Sequence, residues 1–212
     1  MIKNISNLGD AALYCDFGQD VNKDTNTLVI RYFKSIQKKN IVGVNNLAPS
    51  YNKLIVSFDL QKTNFDILKK EIENLDIINC KSMNNKKIVI PVCCDENFSL
   101  DIKRLEKKLK MSQEKIYENF FNKEFFCYMT GFIAGMPFLG DLEKNFRAKR
   151  LETPRIKVPK GSVGVTEQFA NIYTFESPGG WNIIGNTPIN ICLLYTSPSP
   201  RDLSTSRMPS SA

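Results

Sequence analysis

The order of apolar segments in the first 92 residues restricts the fold more than any other feature of the sequence. Residues 5–17, 41–47, 53–58 and 87–92 carry the short apolar runs that predict β-strands. A helix is predicted from Asp24 or Thr25 to residues 38–40, and a second amphipathic helix is predicted over residues 64–74. The predicted order is therefore strand, helix, strand, strand, helix, strand.

This order is the split β-α-β pattern of a ferredoxin-like domain, in which an antiparallel sheet packs both helices on one face. After Cys94 the pattern changes to two short helices, at residues 100–109 and 112–120, followed by short apolar runs separated by Gly and Pro. Many short strands with such punctuation are typical of a compact barrel or sandwich. The sequence thus predicts an α+β protein with an all-β region in its second half.

Residues 192–212 differ from everything before them. Eleven of the eighteen residues at positions 195–212 are Ser, Thr or Pro, and apolar residues show no periodicity there. Such a segment cannot recover the entropy lost on ordering, which predicts a disordered tail. Residues 192–202, CLLYTSPSPRD, also resemble translated adapter sequence, so we expect the tail to be an artefact.

The chain contains no histidine. Histidine is the commonest general base and metal ligand, so neither a Ser-His-Asp nor a Cys-His arrangement can be built from this sequence alone. The sequence also lacks a Walker-type glycine loop, which argues against a nucleotide site formed wholly by this chain. Any chemistry must therefore use carboxylates, lysines, backbone amides or residues of a partner.

The formal charge of +7 comes mainly from lysines spread over the predicted helices. This distribution is typical of solvated helix faces, and no nucleic-acid-binding motif accompanies it, so we expect no nucleic-acid partner. No segment approaches the ~20 apolar residues of a membrane span, and residues 1–4 lack the apolar run of a secretory signal. We expect a cytoplasmic protein that does not contact a membrane.

The six cysteines, at positions 15, 80, 93, 94, 127 and 192, follow no zinc-binding or redox spacing. Cys15 and Cys93 lie in apolar runs, where a thiol behaves as a small apolar group. We expect reduced core cysteines. The adjacent pair Cys93 and Cys94 leaves a sensor of oxidation open as the alternative.

Two segments supply the best candidates for ligand binding. Residues 177–181, SPGGW, bring together a hydroxyl, two glycine amides and the only Trp, which suits an anion- or amide-binding rim with an aromatic wall. Arg155 follows Pro154, which suits a rigidly held guanidinium for a carboxylate or phosphate. The plain alternatives are a core role for Trp181, a surface charge at Arg155, and glycines that only form turns. Without a histidine, only a lysine such as Lys160 could activate Ser162, so we favour hydrogen bonding over nucleophilic attack for this residue.

Four stretches together resemble one protein family. Residues 131–140 (GFIAGMPFLG), 153–165 (TPRIKVPKGSVGV) and 177–188 (SPGGWNIIGNTP) are similar to its GFxPGFxYLG, PRxxVPxGSVGI and SPGGWxxIGRTP motifs, and residues 7–13 (NLGDAAL) are similar to its GDxAL opening. The family is that of the B-type subunit of ATP-dependent 5-oxoprolinase, also known as allophanate hydrolase subunit 1 and as the sporulation-kinase inhibitor KipI.

The resemblance implies a ferredoxin-like domain at residues 1–92 and a cyclophilin-like β-barrel domain at residues 93–191. The family normally continues beyond its IGRTP motif into further barrel strands. The resemblance therefore also implies that the barrel is incomplete and that the chain is a fragment of the subunit.

The resemblance further implies that a C-type subunit joins this chain and that the two share ATP and Mg²⁺ to activate 5-oxoproline, so that an A-type subunit can open the ring to glutamate. Two other roles stay open: a KipI-like inhibitor of a histidine kinase, and a subunit that processes urea or allophanate. We expect one concave, partner-facing surface for substrate or partner, formed by Arg155, Lys160, Ser162, Ser177, Gly179, Gly180 and Trp181.

The sequence departs from the family pattern after its PRxxVPxGSVGI motif. Residues 166–173 read TEQFANIY where the family has AGxQTGIY, so that both glycines of that run are lost. Asn tolerates left-handed backbone, so Asn171 is expected to preserve a turn. If this loop lines the site, Glu167 and Phe169 change the choice of substrate or partner. Asn186 replaces the arginine of IGRTP.

Overall fold

A computed structural model describes residues 1–78 and 87–191 of the chain. The chain divides into two compact units, one ending at Ile88 and the other beginning at Val89. Both units combine helices with antiparallel sheets, so the predicted mixture of α and β structure is confirmed. The predicted disordered tail at residues 192–212 lies outside the described residues.

The first unit contains a four-stranded antiparallel sheet and two helices. The sheet order is β1-β2-β4-β3, and every neighbouring pair is antiparallel. The elements in chain order are β1 (Asn4–Asn7), β2 (Ala12–Asp16), α1 (Lys23–Lys39), β3 (Val44–Pro49), β4 (Lys53–Phe58) and α2 (Phe65–Glu73). Its core is formed by alternate strand residues and one face of each helix, including Leu13, Val29, Ile36, Leu54, Val56 and Leu68.

The first predicted strand, residues 5–17, is in fact a hairpin. The chain turns at Gly9, whose φ of 64° suits glycine, and the Leu8 N–H donates to the Ala12 carbonyl (2.9 Å). Strand β1 therefore pairs with β2 and occupies the edge of β2 that the last strand of a ferredoxin-like sheet would take. A local hairpin takes this edge readily, because closing a short loop costs little entropy.

The prediction of a strand at residues 87–92 is wrong, because this segment is not a strand in the structure. Ile90 and Val92 instead pack against the core of the second unit, and Cys93 forms an isolated bridge with Asn186. The described residues of the first unit thus contain the expected helices, but the order of strands is not the one predicted.

Side-chain caps fix where the helices begin. Helix α1 begins after Asn22, whose side chain accepts a hydrogen bond from the Thr25 N–H, so the predicted start at residues 24–25 was slightly late. Its end at Asn40 agrees with the prediction, since Asn40 adopts the left-handed conformation of a C-cap. Asn64 caps α2 in the same way as Asn22.

The second unit contains two α-helices, a 3-10 helix and seven strands in its described part. Five strands form an antiparallel sheet of order β11-β8-β9-β6-β5, and β7 pairs only with β10 in a two-stranded ribbon. The elements are α3 (Ile102–Leu109), α4 (Gln113–Phe121), β5 (Phe126–Thr130), β6 (Pro137–Gly140), a 3-10 helix (Lys144–Phe146), β7 (Arg155–Val158), β8 (Ser162–Thr166), β9 (Phe169–Ile172), β10 (Ser177–Gly179) and β11 (Asn182–Asn186).

The five-stranded sheet is open, so the strands described do not form the closed barrel that the family resemblance implies. Strands β7 and β10 bond to each other rather than bridging the two sheet edges, which leaves the sheet unclosed. Its core lies between the sheet and the helices α3 and α4 and includes Leu105, Ile116, Phe120, Val165, Ala170 and Ile184.

The cysteines of the described part are free thiols, at positions 15, 93, 94 and 127. Burial raises the pKa of the Cys15 thiol to about 12 and that of Cys127 to about 11, as expected for core thiols. Burial also raises the pKa of Cys94, which disfavours the reactive thiolate that a sensor of oxidation needs. No helix among the described residues combines the length and apolar character needed to cross a membrane.

The ion pair between Asp16 and Lys53 gives the first unit a predictable dependence on pH. The Lys53 ammonium donates to the Asp16 carboxylate and to the Gly18 carbonyl (2.6 Å), and the Gly18 N–H donates to Asp16 (2.7 Å). The hydrogen bond from Lys53, followed by that from Gly18, lowers the pKa of Asp16 despite its partial burial.

We predict that Asp16→Asn lowers the free energy of unfolding by about 1 kcal/mol at pH 7. Because the folded-state pKa is lowered, this contribution is fully present above the ordinary aspartate pKa of about 3.9 and disappears as the pH falls through the folded-state value. Urea unfolding at pH 7 and at pH 3 measures the difference, with the exposed Asp20→Asn as the control. If Asp16→Asn lowered the free energy of unfolding equally at pH 7 and at pH 3, the ionised Asp16 carboxylate would not be the source of the stabilisation.

Candidate binding site around Tyr173

An ion pair with the buried Asp101 holds Arg155 in place at the start of β7. Its Nη2 donates to Oδ1 of Asp101 (2.7 Å), and the other carboxylate oxygen accepts from the Ile183 N–H (2.7 Å). Asp101 also donates its own N–H to the Ile183 carbonyl (3.0 Å) and immediately precedes α3. One nitrogen of the guanidinium therefore stabilises the fold through Asp101. Arg155 is thus not a surface charge without a structural role. Its Nη1 atom is buried and has no hydrogen-bond partner in the described part of the chain.

Tyr173 is the buried side chain around which the glycine-rich segments gather. Gly179 lies against the phenol: a Cβ there would lie 2.8 Å from Cζ of Tyr173 and closer still to the hydroxyl oxygen. Gly164 lies against the other edge of the ring, where a Cβ would lie 3.3 Å from Cε2. Burial raises the pKa of Tyr173, and hydrogen bonds from Asn171 and Trp181 with the charge of Arg155 only partly oppose this shift. The phenol is therefore neutral at physiological pH.

Three polar atoms of the second unit are buried without a hydrogen-bond partner among the residues described: Nη1 of Arg155, Oδ1 of Asn171 and Oγ of Ser177. Asn171 pairs with Gly164 across β8 and β9, and Ser177 lies two residues from Gly179. Buried polar atoms are rarely left unpaired in native proteins, because each costs roughly 1–3 kcal/mol. The three atoms are a donor, an acceptor and a hydroxyl that can do either.

Trp181 lies beside Gly164, whereas Gly180 lies beside Pro154 and Leu151. The Trp181 ring packs edge-on against Phe138 (5.7 Å between centroids), and its Cβ is near Gly164. Gly180 is buried, and its carbonyl accepts from the Leu151 N–H (2.7 Å). Trp181 is consequently a buried, packed residue, in agreement with the core role that the sequence left open as the plain alternative.

The remaining two predicted residues are placed differently. Ser162 is buried in β8 and touches the Tyr173 segment through its backbone, where its carbonyl accepts from the Tyr173 N–H (2.9 Å). Lys160 is exposed, and its ammonium lies 5.8 Å from the centroid of the Phe175 ring. Gly179 pairs with Arg155 and contacts Tyr173, and Ser177 lies on the same two-stranded ribbon. Gly180 lies beside Pro154, Ser162 reaches Tyr173 through the backbone, and Lys160 lies on the solvent side.

Sequence reasoning missed Asp101, Asn171 and Tyr173. Asn171 was expected to form a turn, but it lies within β9 and is fully buried. Its relevance to the candidate site therefore comes from its side chain and not from a turn conformation of its backbone. The available signal was a polar side chain inside an otherwise apolar strand next to a tyrosine. The substitution at Glu167 instead falls in the turn after β8, with a φ of 45°.

The residues present do not fit a Mg²⁺ site. Mg²⁺ is held by carboxylates and other oxygen ligands, and the described residues contain no group of three or more acidic, Cys or His side chains that could hold a metal ion. Both carboxylate oxygens of Asp101 are already occupied by Arg155 and Ile183. Any Mg²⁺ that works beside this site must therefore be held by other groups.

Comparison with known proteins places this arrangement in a family. The family model described as "Carboxyltransferase domain, subdomain C and D" matches residues 3–198. The chain belongs to this family. The B-type subunit of 5-oxoprolinase from Bacillus subtilis is 30% identical over 197 residues, which cover 87% of this chain and 82% of that protein. Its counterpart from Haemophilus influenzae is 29% identical over 189 residues, covering 87% and 85%. The resemblance found in the sequence is thereby confirmed.

Solved structures show the same fold within longer chains. The crystal structure of TTHA0988 has a TM-score of 0.73 at 25% identity over 85% of this chain, but the match covers only 35% of that chain. The urea carboxylase of Kluyveromyces lactis has a TM-score of 0.69 at 16% identity and shares the fold over 86% of this chain, which is 19% of the enzyme. The chain therefore spans about a third or less of these two solved proteins.

Neighbouring glycines give a matched test of the packing around Tyr173. We predict that Gly179→Ala destabilises the second unit by about 1–3 kcal/mol, because its Cβ would overlap the phenol. Gly180→Ala is the control, since its Cβ would lie 3.6 Å from Pro154 in ordinary contact. Thermal unfolding monitored by Trp181 fluorescence measures both, and equal midpoints for the two variants would show that Gly179 is not in contact with Tyr173.

Proposed function

We propose that this chain is the B-type subunit of an ATP-dependent 5-oxoprolinase, which acts with a C-type partner and an A-type subunit to convert 5-oxoproline to glutamate. The family membership and the names of its relatives support this assignment. The observation that carries it is the set of unpartnered buried polar atoms in the second unit, because a subunit that contributes to a shared site is expected to keep polar groups unsatisfied within its own fold.

The chemistry of these atoms matches a lactam that carries a carboxylate. 5-Oxoproline presents a ring N–H, a ring carbonyl and a carboxylate on one small molecule. Nη1 of Arg155 can donate to either kind of oxygen, Oδ1 of Asn171 can accept from the ring N–H, and the Ser177 hydroxyl can do both. The family motif has glycine where Asn171 stands, so this acceptor is a feature of this chain that would tune its choice of substrate.

The contribution of this chain is to bind and orient the substrate. The pair with Asp101 fixes the plane of the Arg155 guanidinium, so that a contact through Nη1 loses little side-chain entropy. Trp181 and Phe138 form an apolar wall that excludes water from one side. ATP and Mg²⁺ belong to the proposal as groups shared with the C-type partner, because the described residues do not fit a metal site of their own.

The test is ATP-dependent glutamate release by the three reconstituted subunits. We predict that Ser177→Ala leaves the stability of the chain unchanged or raises it, because its hydroxyl is unpaired inside the described fold, yet lowers kcat/KM by about tenfold or more. Arg155→Lys keeps a cation beside Asp101 but removes Nη1, and we expect a similar loss of activity.

Ser99→Ala is the matched control for Ser177→Ala. The Ser99 hydroxyl is buried and hydrogen bonded to the carbonyls of Cys94 (3.1 Å) and Asp95 (3.0 Å), so its removal should lower stability but leave the activity of the folded complex intact. Full activity of both Ser177→Ala and Arg155→Lys would exclude this site. A wild-type complex that releases no glutamate but blocks autophosphorylation of a histidine kinase would favour the KipI-like role instead.

A further inference from the structure

Three large apolar side chains of the second unit are exposed on segments that are tied together. Phe132 is 75% exposed between β5 and β6, Ile156 is 84% exposed in β7, and Phe175 is 48% exposed just before β10. The Thr174 hydroxyl donates to the Ala134 carbonyl (2.9 Å), which joins the loop of Phe132 to the segment of Phe175. We call Phe132, Ile156 and Phe175 the apolar surface. Clusters of exposed apolar side chains mark binding surfaces more often than isolated ones do.

The backbone at Phe132 is strained for a residue of its size. Its φ is 65°, and the Ile133 N–H donates to the Gly131 carbonyl (2.7 Å) across it, which closes a three-residue turn. A bulky side chain rarely adopts this conformation, whereas glycine does so without cost. Ile133 and Met136 of the same loop pack in the core while Phe132 faces outward. Strain that brings an aromatic ring to the surface adds nothing to the stability of the fold, which points to a binding role.

The charges around the apolar surface indicate the chemistry of its partner. The Lys160 ammonium lies 5.8 Å from the centroid of the Phe175 ring, at the edge of the surface. Lys157, next to Ile156, forms an ion pair with Glu176 (3.0 Å), so its charge is balanced. A fitting partner is therefore apolar at its centre and places a carboxylate opposite Lys160.

The apolar surface and the candidate site are carried by the same chain segments. Ile156 directly follows Arg155, and Phe175 lies between Tyr173 and Ser177 in the chain. A protein seated on the apolar surface would therefore also cover the ribbon that carries Arg155 and Ser177. In TTHA0988 the matched part is only 35% of the chain, so the same fold is there accompanied by a much longer stretch of polypeptide.

We propose that the apolar surface is where the C-type partner subunit docks, with an apolar patch of that subunit against Phe132, Ile156 and Phe175 and an acidic side chain against Lys160. This inference rests on the proposed function, since it takes the C-type subunit as the occupant. It adds to the proposed function the surface of this chain that the partner contacts when the shared site is formed.

The test is calorimetric titration of the purified chain with the purified C-type subunit from the same genome. We expect Ile156→Ser and Phe175→Ser each to weaken binding by about tenfold or more, and Phe98→Ser, which alters a side chain of similar exposure outside the surface, to change it by less than about twofold. Phe132→Gly gives the sharpest result, because it should weaken binding while the thermal unfolding midpoint stays the same or rises.

The outcomes separate the two proposals. Unchanged binding by the triple variant Phe132→Gly, Ile156→Ser, Phe175→Ser would overturn the apolar surface alone. Dimers of the wild-type chain that this triple variant abolishes, together with unchanged binding of the C-type subunit, would assign the surface to a second copy and overturn the proposal. Tight wild-type binding without glutamate release would contradict the proposed function alone, and no wild-type binding would contradict both.

Discussion

The buried carboxylate of Asp101 connects the parts of the second unit on which the candidate site is built. One oxygen accepts a hydrogen bond from Arg155 and the other accepts from the Ile183 backbone, while the Asp101 N–H returns a hydrogen bond to Ile183. A buried carboxylate that lost such partners would cost several kcal/mol, so these contacts hold the start of α3, strand β7 and strand β11 in one arrangement. The position of Arg155 follows from this constraint.

Other buried polar groups of the second unit lack hydrogen-bond partners among the described residues. Arg155 uses Nη2 for the fold but leaves Nη1 buried without a partner among the described residues, and Asn171 and Ser177 leave an oxygen each in the same state. Glycine at positions 164 and 179 lets β8 and β10 approach the Tyr173 ring more closely than any other residue would allow. Close packing and unsatisfied polar atoms in one place are expected where a site depends on a second molecule for completion.

Neither family membership nor the fold decides the chemistry, which depends on particular side chains. The fold of this chain also occurs in a urea carboxylase at 16% identity, so the fold alone does not decide the substrate. Within this chain, the residue that departs from the family pattern and lies in the site is Asn171, whereas Glu167 falls in a turn. Recognition of a lactam N–H by Asn171 would therefore be a property of this sequence rather than of the whole family.

The sequence by itself determined the helices and the family, because these depend on local periodicity, capping and motifs of consecutive residues. It also singled out Arg155, Ser177, Gly179, Gly180 and Trp181 as candidates, because the motifs contain them. Only the tertiary structure decided that residues 5–17 fold back as a hairpin and that residues 87–92 add no strand to that sheet. It alone revealed Asp101 and Tyr173 as the partners of the motif residues, because a carboxylate and a guanidinium 54 positions apart meet only when long-range packing has been chosen, and no local pattern encodes that choice.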